Sequence, residues 1–411
     1  MNLKQITTIL IIGLLFFQCS GQEPKSTQNN KVKVIVTEPL KTLPIIVGAE
    51  RTSLYLKELQ GKKVGIVANH TSMIKNTHLV DSLVSLEINV VRVFSPEHGF
   101  RGNADAGELV SSDIDKKTSL PIISLYGKNK KPTKEQINDL DVIIFDIQDV
   151  GARFYTYIST MHYVMETCAE NGKKLIILDR PNPNGHYVDG PILEEAFKSF
   201  VGMHPVPIVH GMTIGEYAKM INGEGWLANK IKCDLFVVET KNYDHTKFYK
   251  LPIKPSPNLP NMSSIYLYPS LCLFEGTPIS VGRGTDKPFQ VLGHPLMISN
   301  KYSFTPKSME GAKSPKLQDE KCNGFNLSLF GTEYMKGKGE INLFWLIDIY
   351  TNFPKKEGFF TKMFQLLSGT DKLQHQIEAG KTEAEIKTTW QTGITEFKHT
   401  RKKYLLYKDF E

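Results

Sequence analysis

The sequence predicts an α/β protein: a wound parallel sheet in a first, Rossmann-like domain, followed by a smaller α/β domain. Between residues 63 and 238, apolar strand-like runs alternate with helical patterns, and this alternation is typical of parallel sheets with crossover helices. The stretch 252–261, PIKPSPNLPN, carries four prolines and interrupts both patterns. Because proline ends helices and strands, it indicates a seam between two domains.

The elements of the first domain follow from apolar runs and from residues that start helices. Thr133 with Gln136, and Thr213 with Glu216, have the spacing of a capping box, which starts a helix. Strands are expected at 63–68, 90–94, 120–125, 141–145, 174–178, 206–209 and 235–238. Helices are expected at 50–59, 77–86, 133–140, 156–171 and 213–222.

The second domain is expected to contain a strand at 325–329 and helices at 341–350 and 383–403. Trp390 and Phe397 lie seven residues apart on the last of these helices, so we expect both in the core.

The N-terminus has the features of a lipoprotein signal. Lys4 precedes an apolar run at 9–17, too short for a membrane-spanning helix of about 20 residues. Cys19 follows this run directly, which predicts a lipoprotein signal peptide at 1–19, export to the periplasm or cell envelope, and a lipid anchor on Cys19. An ordinary signal peptide with an incidental cysteine is the alternative. Residues 20–50 are predicted to form a linker, leaving domains at 51–262 and 263–411.

Composition and motifs exclude several classes of protein. The net charge of +7 is modest and its basic residues are scattered, so no nucleic-acid site is expected. Spacings typical of dinucleotide, serine-hydrolase and zinc-protease sites are missing, so we expect no cofactor or metal. The four remaining cysteines lie far apart in apolar contexts, as core residues do, although an exported protein could pair two of them. The oligomeric state stays open.

Polar residues follow five of the expected strands. Because parallel strands end at one edge of a sheet, these residues should meet there and form a site rather than five solvated loops. Glu97, in the stretch VVRVFSPEHGFRG, is the first candidate for a chemical role. The residues at these strand ends are Asn69, Glu97 with His98, the segment 146–153, the pair 179–180, and His210.

Carboxylates, arginines and tyrosines together suit the cleavage of an acidic sugar. Glu97 beside Asp146 and Asp149 could cut a glycosidic bond, because that reaction uses two positioned carboxyl groups, one with a raised pKa. Arginine binds carboxylates through two hydrogen bonds. Tyr155 and Tyr157 could stack on a sugar ring or pack in the core. In the second domain, a glycine-rich turn at 280–289 carries Arg283, Asp286 and Phe289 where backbone can approach a ligand closely.

Eight segments of the chain resemble the exo-β-N-acetylmuramidases. They lie in the family's order between residues 64 and 290. The resemblance implies a Rossmann-like domain and a smaller α/β domain with the active site in the cleft between them. It also implies release of N-acetylmuramic acid from the non-reducing end of peptidoglycan fragments, for cell-wall turnover or recycling. The segments are VGIVANHTS, VFSPEHGFRG, FDIQDVGARFYTYISTM, LDRPNPNG, VHGMTIGE, PSPNLPN, YPSLCLFEGT and SVGRGTDKPFQ.

The resemblance assigns the catalytic glutamate to the SPEHG motif, hence to Glu97, and leaves its partner open. By position we expect His98, Asp146 and His210 to complete the catalytic group, and muropeptides or disaccharides to be the substrates. The residues expected to bind substrate are Asn69, Asp149, Arg153, Tyr155, Tyr157, Arg180, Glu275, Arg283 and Asp286.

Three questions stay open at this point. The protein could be a non-catalytic lipoprotein that binds muropeptides or acidic sugars. It could instead be a metal-dependent hydrolase that uses His98, His210 and Asp146. The stereochemistry of cleavage depends on a distance between carboxyl groups that the sequence does not contain.

Overall fold

The computed structural model describes residues 43–97, 99–101, 113–127, 129–298 and 302–411. The expected signal peptide, Cys19, most of the expected linker and His98 lie outside these residues. Residues Pro44–Glu411 form one compact unit.

The strands of the described residues fall into one large and two small sheets. They are β1 (Val64–Ala68), β2 (Met73–Ile74), β3 (Thr77–His78), β4 (Val90–Ser95), β5 (Asp113–Ile114), β6 (Pro121–Ser124), β7 (Val142–Asp146), β8 (Lys174–Leu178), β9 (Asp234–Val238), β10 (Val291–His294), β11 (Ser303–Phe304) and β12 (Cys322–Asn326).

The large sheet has the order β5-β6-β4-β1-β7-β8-β9. All neighbours in it are parallel except β5, which pairs antiparallel with β6 at one edge. Counted along the chain, the six parallel strands have the order 3-2-1-4-5-6, which defines a Rossmann-type sheet. The expected wound parallel sheet is therefore confirmed.

The central strands β1 and β7 are buried at every position, which explains why they are apolar almost throughout rather than at alternate positions. Side chains alternate along a strand, so Val67 and Phe145 pack into one core while Ile66 and Ile144 pack into the other. Helices cover both faces, as in other wound sheets.

The helices begin largely where the sequence predicts. The capping boxes at Thr133 and Thr213 are both present. The helices are α1 (Leu56–Leu59), α2 (Leu79–Ser85), α3 (Lys134–Ile137), α4 (Tyr157–Glu170), α5 (Ile214–Gly223), α6 (Met262–Leu271), α7 (Ser328–Phe330), α8 (Lys336–Lys338), α9 (Phe344–Asn352), α10 (Lys362–Ser368), α11 (Lys372–Glu378), α12 (Glu383–Thr388) and α13 (Gln391–Lys402). Short 3₁₀ turns lie at Gly48–Glu50, Thr52–Leu54, Glu195–Phe197, Ala228–Lys230 and Cys272–Gly276, and a π-turn at Gly331–Met335.

The segment after α6 packs a small antiparallel sheet, β10-β12-β11, with the helices α7–α13. Trp390 and Phe397 are buried in the core, as expected. The Trp390 indole Nε1 donates to Asp189 Oδ1 over 3.0 Å, which fixes the C-terminal helices to the first part of the chain.

Three details correct the sequence expectations. Residues 206–209 do not form a strand, because Val209 makes only isolated bridges to Ala152 and Asp189. The expected helix 383–403 is two helices, separated at Trp390. The expected linker ends before residue 44, since Val47 and Ala49 are buried against the sheet. Among the described residues, no helix is both long and apolar enough to span a membrane.

Candidate active site

A cavity of about 370 Å³ opens at the carboxyl edge of the large sheet. Its wall combines residues that follow β4, β6 and β7 with residues from the second part of the chain. Wound sheets bind ligands at this edge, where the order of strands reverses. The lining residues are Glu97, Tyr126, Phe154, Tyr155, Thr156, Tyr157, Val201, Ser256, Asn258, Leu259, Tyr268, Cys272, Glu275, Arg283, Phe289, Met363 and Leu367.

Glu97 is half-buried in this wall, two residues beyond the end of β4. The Thr156 hydroxyl, at the start of α4, donates to Glu97 Oε2 over 3.3 Å. Burial, helped by the nearby Glu97 carboxylate and a hydrogen bond to it, raises the pKa of Tyr126. The Tyr126 hydroxyl therefore stays protonated and can hold the Glu97 carboxyl in place.

Aromatic rings form a large part of the cavity wall. Tyr155 packs edge-on against Tyr157 and Tyr268, with ring centroids 4.9 Å and 5.9 Å away. The Tyr155 hydroxyl donates to the Pro255 carbonyl over 2.8 Å. Tyr155 and Tyr157 are thus packed in the core and also line the cavity. A residue in a cavity wall can contact the core on one side and the cavity on the other.

Asn69 positions one of these rings and does not itself line the cavity. The Asn69 amide Nδ2 donates to the Tyr157 hydroxyl over 2.9 Å. Its Oδ1 accepts from Thr71, so the side chain is fully buried in a fixed orientation.

The cavity wall also carries an ion pair. Arg283 Nη2 lies 2.9 Å from Glu275 Oε2, and both side chains are about one-quarter exposed. Burial raises the pKa of Glu275, but the Arg283 guanidinium outweighs burial and leaves that pKa lowered. Glu275 is therefore an ionised carboxylate and unsuited to donate a proton near neutral pH.

Asp149 and His210 form a buried pair outside the cavity wall. His210 Nε2 lies 3.9 Å from Asp149 Oδ2. Burial raises the pKa of Asp149 to about 7 and lowers the pKa of His210 to about 3. Both groups are therefore neutral in mildly acidic conditions. Neither lines the cavity, so the structure does not bring these two expected site residues to its wall.

We expect Asp149→Asn to flatten the dependence of stability on pH. Asp149 has a folded-state pKa near 7 and an unfolded one near 3.9, so its ionisation costs stability as pH rises between these values. Urea unfolding at pH 5 and pH 8 should show that the variant loses about 2 kcal/mol less than wild type over this interval.

Asparagine can still accept the hydrogen bond that Gly151 N–H donates to Asp149 Oδ2 over 2.6 Å, which makes it a suitable substitution. Equal losses in both proteins between pH 5 and pH 8 would contradict the assignment. The titration of His210 affects both proteins alike and cancels in the comparison.

Several other expected site residues lie elsewhere, each for a physical reason. Arg153 is fully buried and donates to the carbonyls of Pro191, Val206, Leu367 and Ser368, so it cannot bind a ligand carboxylate.

Asp146 and Arg180 neutralise each other. Arg180 Nε and Nη2 donate to the two Asp146 carboxylate oxygens over 2.6 Å and 2.9 Å, and neither residue lines the cavity. The Asp286 side chain is 85% exposed and also lies outside the wall.

The metal site that the alternative of a metal-dependent hydrolase requires is not assembled by the described residues. Asp146 is engaged by Arg180, His210 lies beside Asp149, and His98 is outside the described residues. Within the ranges that the structure describes, no group of three or more His, Cys, Asp or Glu residues could hold a metal ion.

Sequence reasoning missed Tyr126, Thr156 and Lys316. Tyr126 follows an expected strand, so the rule that selected Glu97 could have found it, but an uncharged residue attracted no attention. Lys316 donates to the carbonyls of Glu275 and Ile279, and nothing in its sequence context signals this position.

A carboxyl group held by a tyrosine and a threonine in an aromatic-walled cavity is suited to a hydrolase that cleaves carbohydrates. The family models agree: the N-terminal model of exo-β-N-acetylmuramidase NamZ matches residues 64–263 and the C-terminal model matches 266–407. The chain belongs to this family of glycoside hydrolases.

Similar proteins support the same assignment. The chain is 40% identical over 374 residues to the peptidoglycan β-N-acetylmuramidase NamZ of Bacillus subtilis strain 168, covering 86% of this chain and 89% of that protein. Crystal structures of two DUF1343 family proteins from Bacteroides fragilis are also similar, each over 89% of this chain. The first has a TM-score of 0.83 and 52% sequence identity, and the match covers 100% of its chain. The second has a TM-score of 0.76 and 30% sequence identity, and the match covers 99% of its chain.

Proposed function

We propose that this protein is an exo-acting β-N-acetylmuramidase that releases N-acetylmuramic acid from the non-reducing end of peptidoglycan fragments. The observation that carries the proposal is the position of Glu97, held by Thr156 in the wall of the cavity. The relative from Bacillus subtilis, which is named a peptidoglycan β-N-acetylmuramidase, supports the choice of substrate.

In this mechanism Glu97 donates its proton to the glycosidic oxygen as the bond from that oxygen to C1 of the sugar breaks. A water molecule then bonds to C1 and gives up a proton, which restores the Glu97 carboxyl. Tyr126 and Thr156 keep its carboxyl directed at the cavity, and the tyrosine rings contact the apolar face of the sugar. Glu275, the other carboxylate on the wall, is ionised and paired with Arg283, so it stabilises positive charge rather than supplying the proton.

The size of the cavity supports action at chain ends. Its 370 Å³ lies near the lower end of the range for small-molecule sites, about 300–1,000 Å³. One amino sugar fills such a volume, whereas an enzyme that cuts inside a glycan needs a groove for several. Digestion of defined oligomeric fragments should therefore yield free N-acetylmuramic acid first.

A chromogenic β-glycoside of N-acetylmuramic acid tests the proposal directly. Release of the chromophore by the purified protein supports a glycosidase. Tight binding of the glycoside without release would favour the alternative of a muropeptide-binding lipoprotein. Adding a strong chelator in a parallel assay tests metal dependence, since full activity after exhaustive chelation contradicts a metal-dependent hydrolase.

We also propose that the mature chain is a lipoprotein of the cell envelope, anchored through Cys19. The support is the short apolar run before Cys19 and the polar segment after it. In a bacterium fed labelled palmitate, Cys19→Ser should abolish label incorporation and move the protein out of the membrane fraction. Ser26→Ala, in the same polar segment, is the control, and equal labelling of Cys19→Ser and wild type would contradict the anchor.

A further inference from the structure

Arg283 presents part of its guanidinium to the cavity. Its Nε contacts both Glu275 oxygens over 3.1 Å and its Nη2 contacts Oε2 over 2.9 Å. The Nη1 group makes none of the hydrogen bonds found among the described residues. The guanidinium carbon also lies 4.9 Å from the centre of the Phe289 ring, which limits its movement. One edge of the guanidinium is thus fixed and another can meet a ligand.

The loop that carries Arg283 is shaped to hold it there. Gly282 has a φ of 79°, and a Cβ at this position would lie 2.4 Å from Val291 Cγ2. Phe289 has a φ of 53°, which is unfavourable for a bulky residue and is maintained by surrounding contacts such as its N–H bond to the Val281 carbonyl over 2.7 Å. Strained backbone of this kind is concentrated at binding sites.

The charges around Arg283 leave this wall positive. Lys316 is half-buried behind the loop and donates to the carbonyls of Phe274, Glu275 and Ile279 over 3.2–3.4 Å. Two cations and one carboxylate, Arg283, Lys316 and Glu275, therefore carry a net charge of +1. We call these three residues the cationic wall.

Tyr126 lies close enough to both Glu97 and Arg283 to interact with each charge. Burial raises the pKa of Tyr126, the Glu97 carboxylate raises it further, and the Arg283 guanidinium opposes the rise. All three side chains line the same cavity. The proton donor and the positive group can therefore both reach one sugar ring that carries an acidic substituent.

We propose that the cationic wall binds the lactyl carboxylate of N-acetylmuramic acid through Arg283, and so distinguishes this sugar from N-acetylglucosamine, which lacks the lactyl group. The inference rests on the proposed function and deepens it. Of the three arginines expected to bind substrate, Arg153 is occupied by four carbonyls and Arg180 by Asp146. Glu275 is a positioning residue, because it orients Arg283 and does not bind the sugar.

Binding to the Glu97→Gln protein separates recognition from cleavage. Calorimetry with N-acetylmuramic acid and with the methyl ester of its lactyl group compares two ligands that differ only in charge. We expect the ester to bind about 30-fold more weakly, as loss of a charge-assisted hydrogen-bond pair implies. Equal affinities for acid and ester would overturn the proposal. This comparison changes only the ligand and leaves the residues of the cationic wall as they are.

Variants then locate the group that recognises the carboxylate. Arg283→Met in the same background should bring acid and ester to equal affinity, and Arg283→Lys should leave a smaller preference because it keeps the charge but not the guanidinium. Lys287→Met removes a cation from the same loop outside the cavity wall and is the matched control. An undiminished preference for the acid in folded Arg283→Lys and Arg283→Met proteins would overturn the role of Arg283.

The two proposals fail in different ways. If the wild-type protein cleaves no glycoside but still binds the acid more tightly than the ester, the proposed glycosidase activity is contradicted. The proposal that the cationic wall binds the carboxylate then still holds. An active wild-type protein that binds acid and ester equally contradicts the cationic wall alone. If the role of Arg283 is purely structural, Arg283→Met should lower the affinities for the acid and for the ester by the same factor.

Discussion

Replacing Glu97 by glutamine should remove nearly all turnover of an unactivated disaccharide that ends in N-acetylmuramic acid. A positioned general acid contributes about 10²–10⁴-fold to the rate, so we expect kcat to fall by about 10³-fold. Glutamine keeps the shape of the side chain and can still accept the hydrogen bond from Thr156, so KM and the unfolding midpoint should change little.

The control for this experiment is Glu195→Gln, which makes the same chemical change on a side chain that is 86% exposed. Its kinetics should match wild type. Substantial turnover by a folded Glu97→Gln protein would show that the proton comes from another group. Because the leaving group of a nitrophenyl glycoside needs little protonation, an unactivated disaccharide should show a larger loss than the chromogenic substrate.

The second large effect is expected on stability. Arg153→Met removes a buried cation that binds two carbonyls from the first part of the chain and two from α10, over 2.6–3.0 Å. A buried polar group without a partner costs about 1–3 kcal/mol. Three of the four carbonyls lose their partner, since the Leu193 N–H still donates to the Val206 carbonyl over 3.2 Å. We expect the free energy of unfolding to drop by about 4 kcal/mol, a large part of the usual 5–15 kcal/mol.

Urea titration measures this loss, with Arg51→Met as the matched control. Arg51 donates to one carbonyl, that of Glu239, in a solvent-exposed position over 2.8 Å, so water replaces the lost contact. A loss for Arg153→Met no larger than for Arg51→Met would contradict the structural assignment. Since Leu367 both accepts from Arg153 and lines the cavity, surviving Arg153→Met protein should also have a raised KM.

Local patterns were reliable where a short stretch of chain determines structure. The parallel strands at 64–68 and 174–178 follow from continuous apolar runs, and the helix after Thr213 follows from its capping box. The strand at 206–209 failed, because its apolar residues are buried by neighbouring loops without a partner strand. Burial produces the same composition with or without strand pairing.

The candidate site divides in the same way. Glu97 could be found from sequence because a charged residue directly after a buried strand has few structural reasons to be there. The arginines could not be ranked, since Arg153, Arg180 and Arg283 look alike along the chain. Their partners are up to 215 residues away, and only those partners distinguish a structural cation from one that meets a ligand.

By itself, the sequence determined the wound sheet, the edge at which the site lies, the family of the protein and its first catalytic candidate. These depend on hydrophobic periodicity, turn residues and short motifs, which are properties of neighbouring residues. The tertiary structure alone decided that Asp149 and His210 are buried as a neutral pair, that Asp146 is neutralised by Arg180, and that Glu275 and Arg283 line the same cavity as Glu97. Those outcomes depend on burial and on contacts between distant segments, and both arise only when the chain folds.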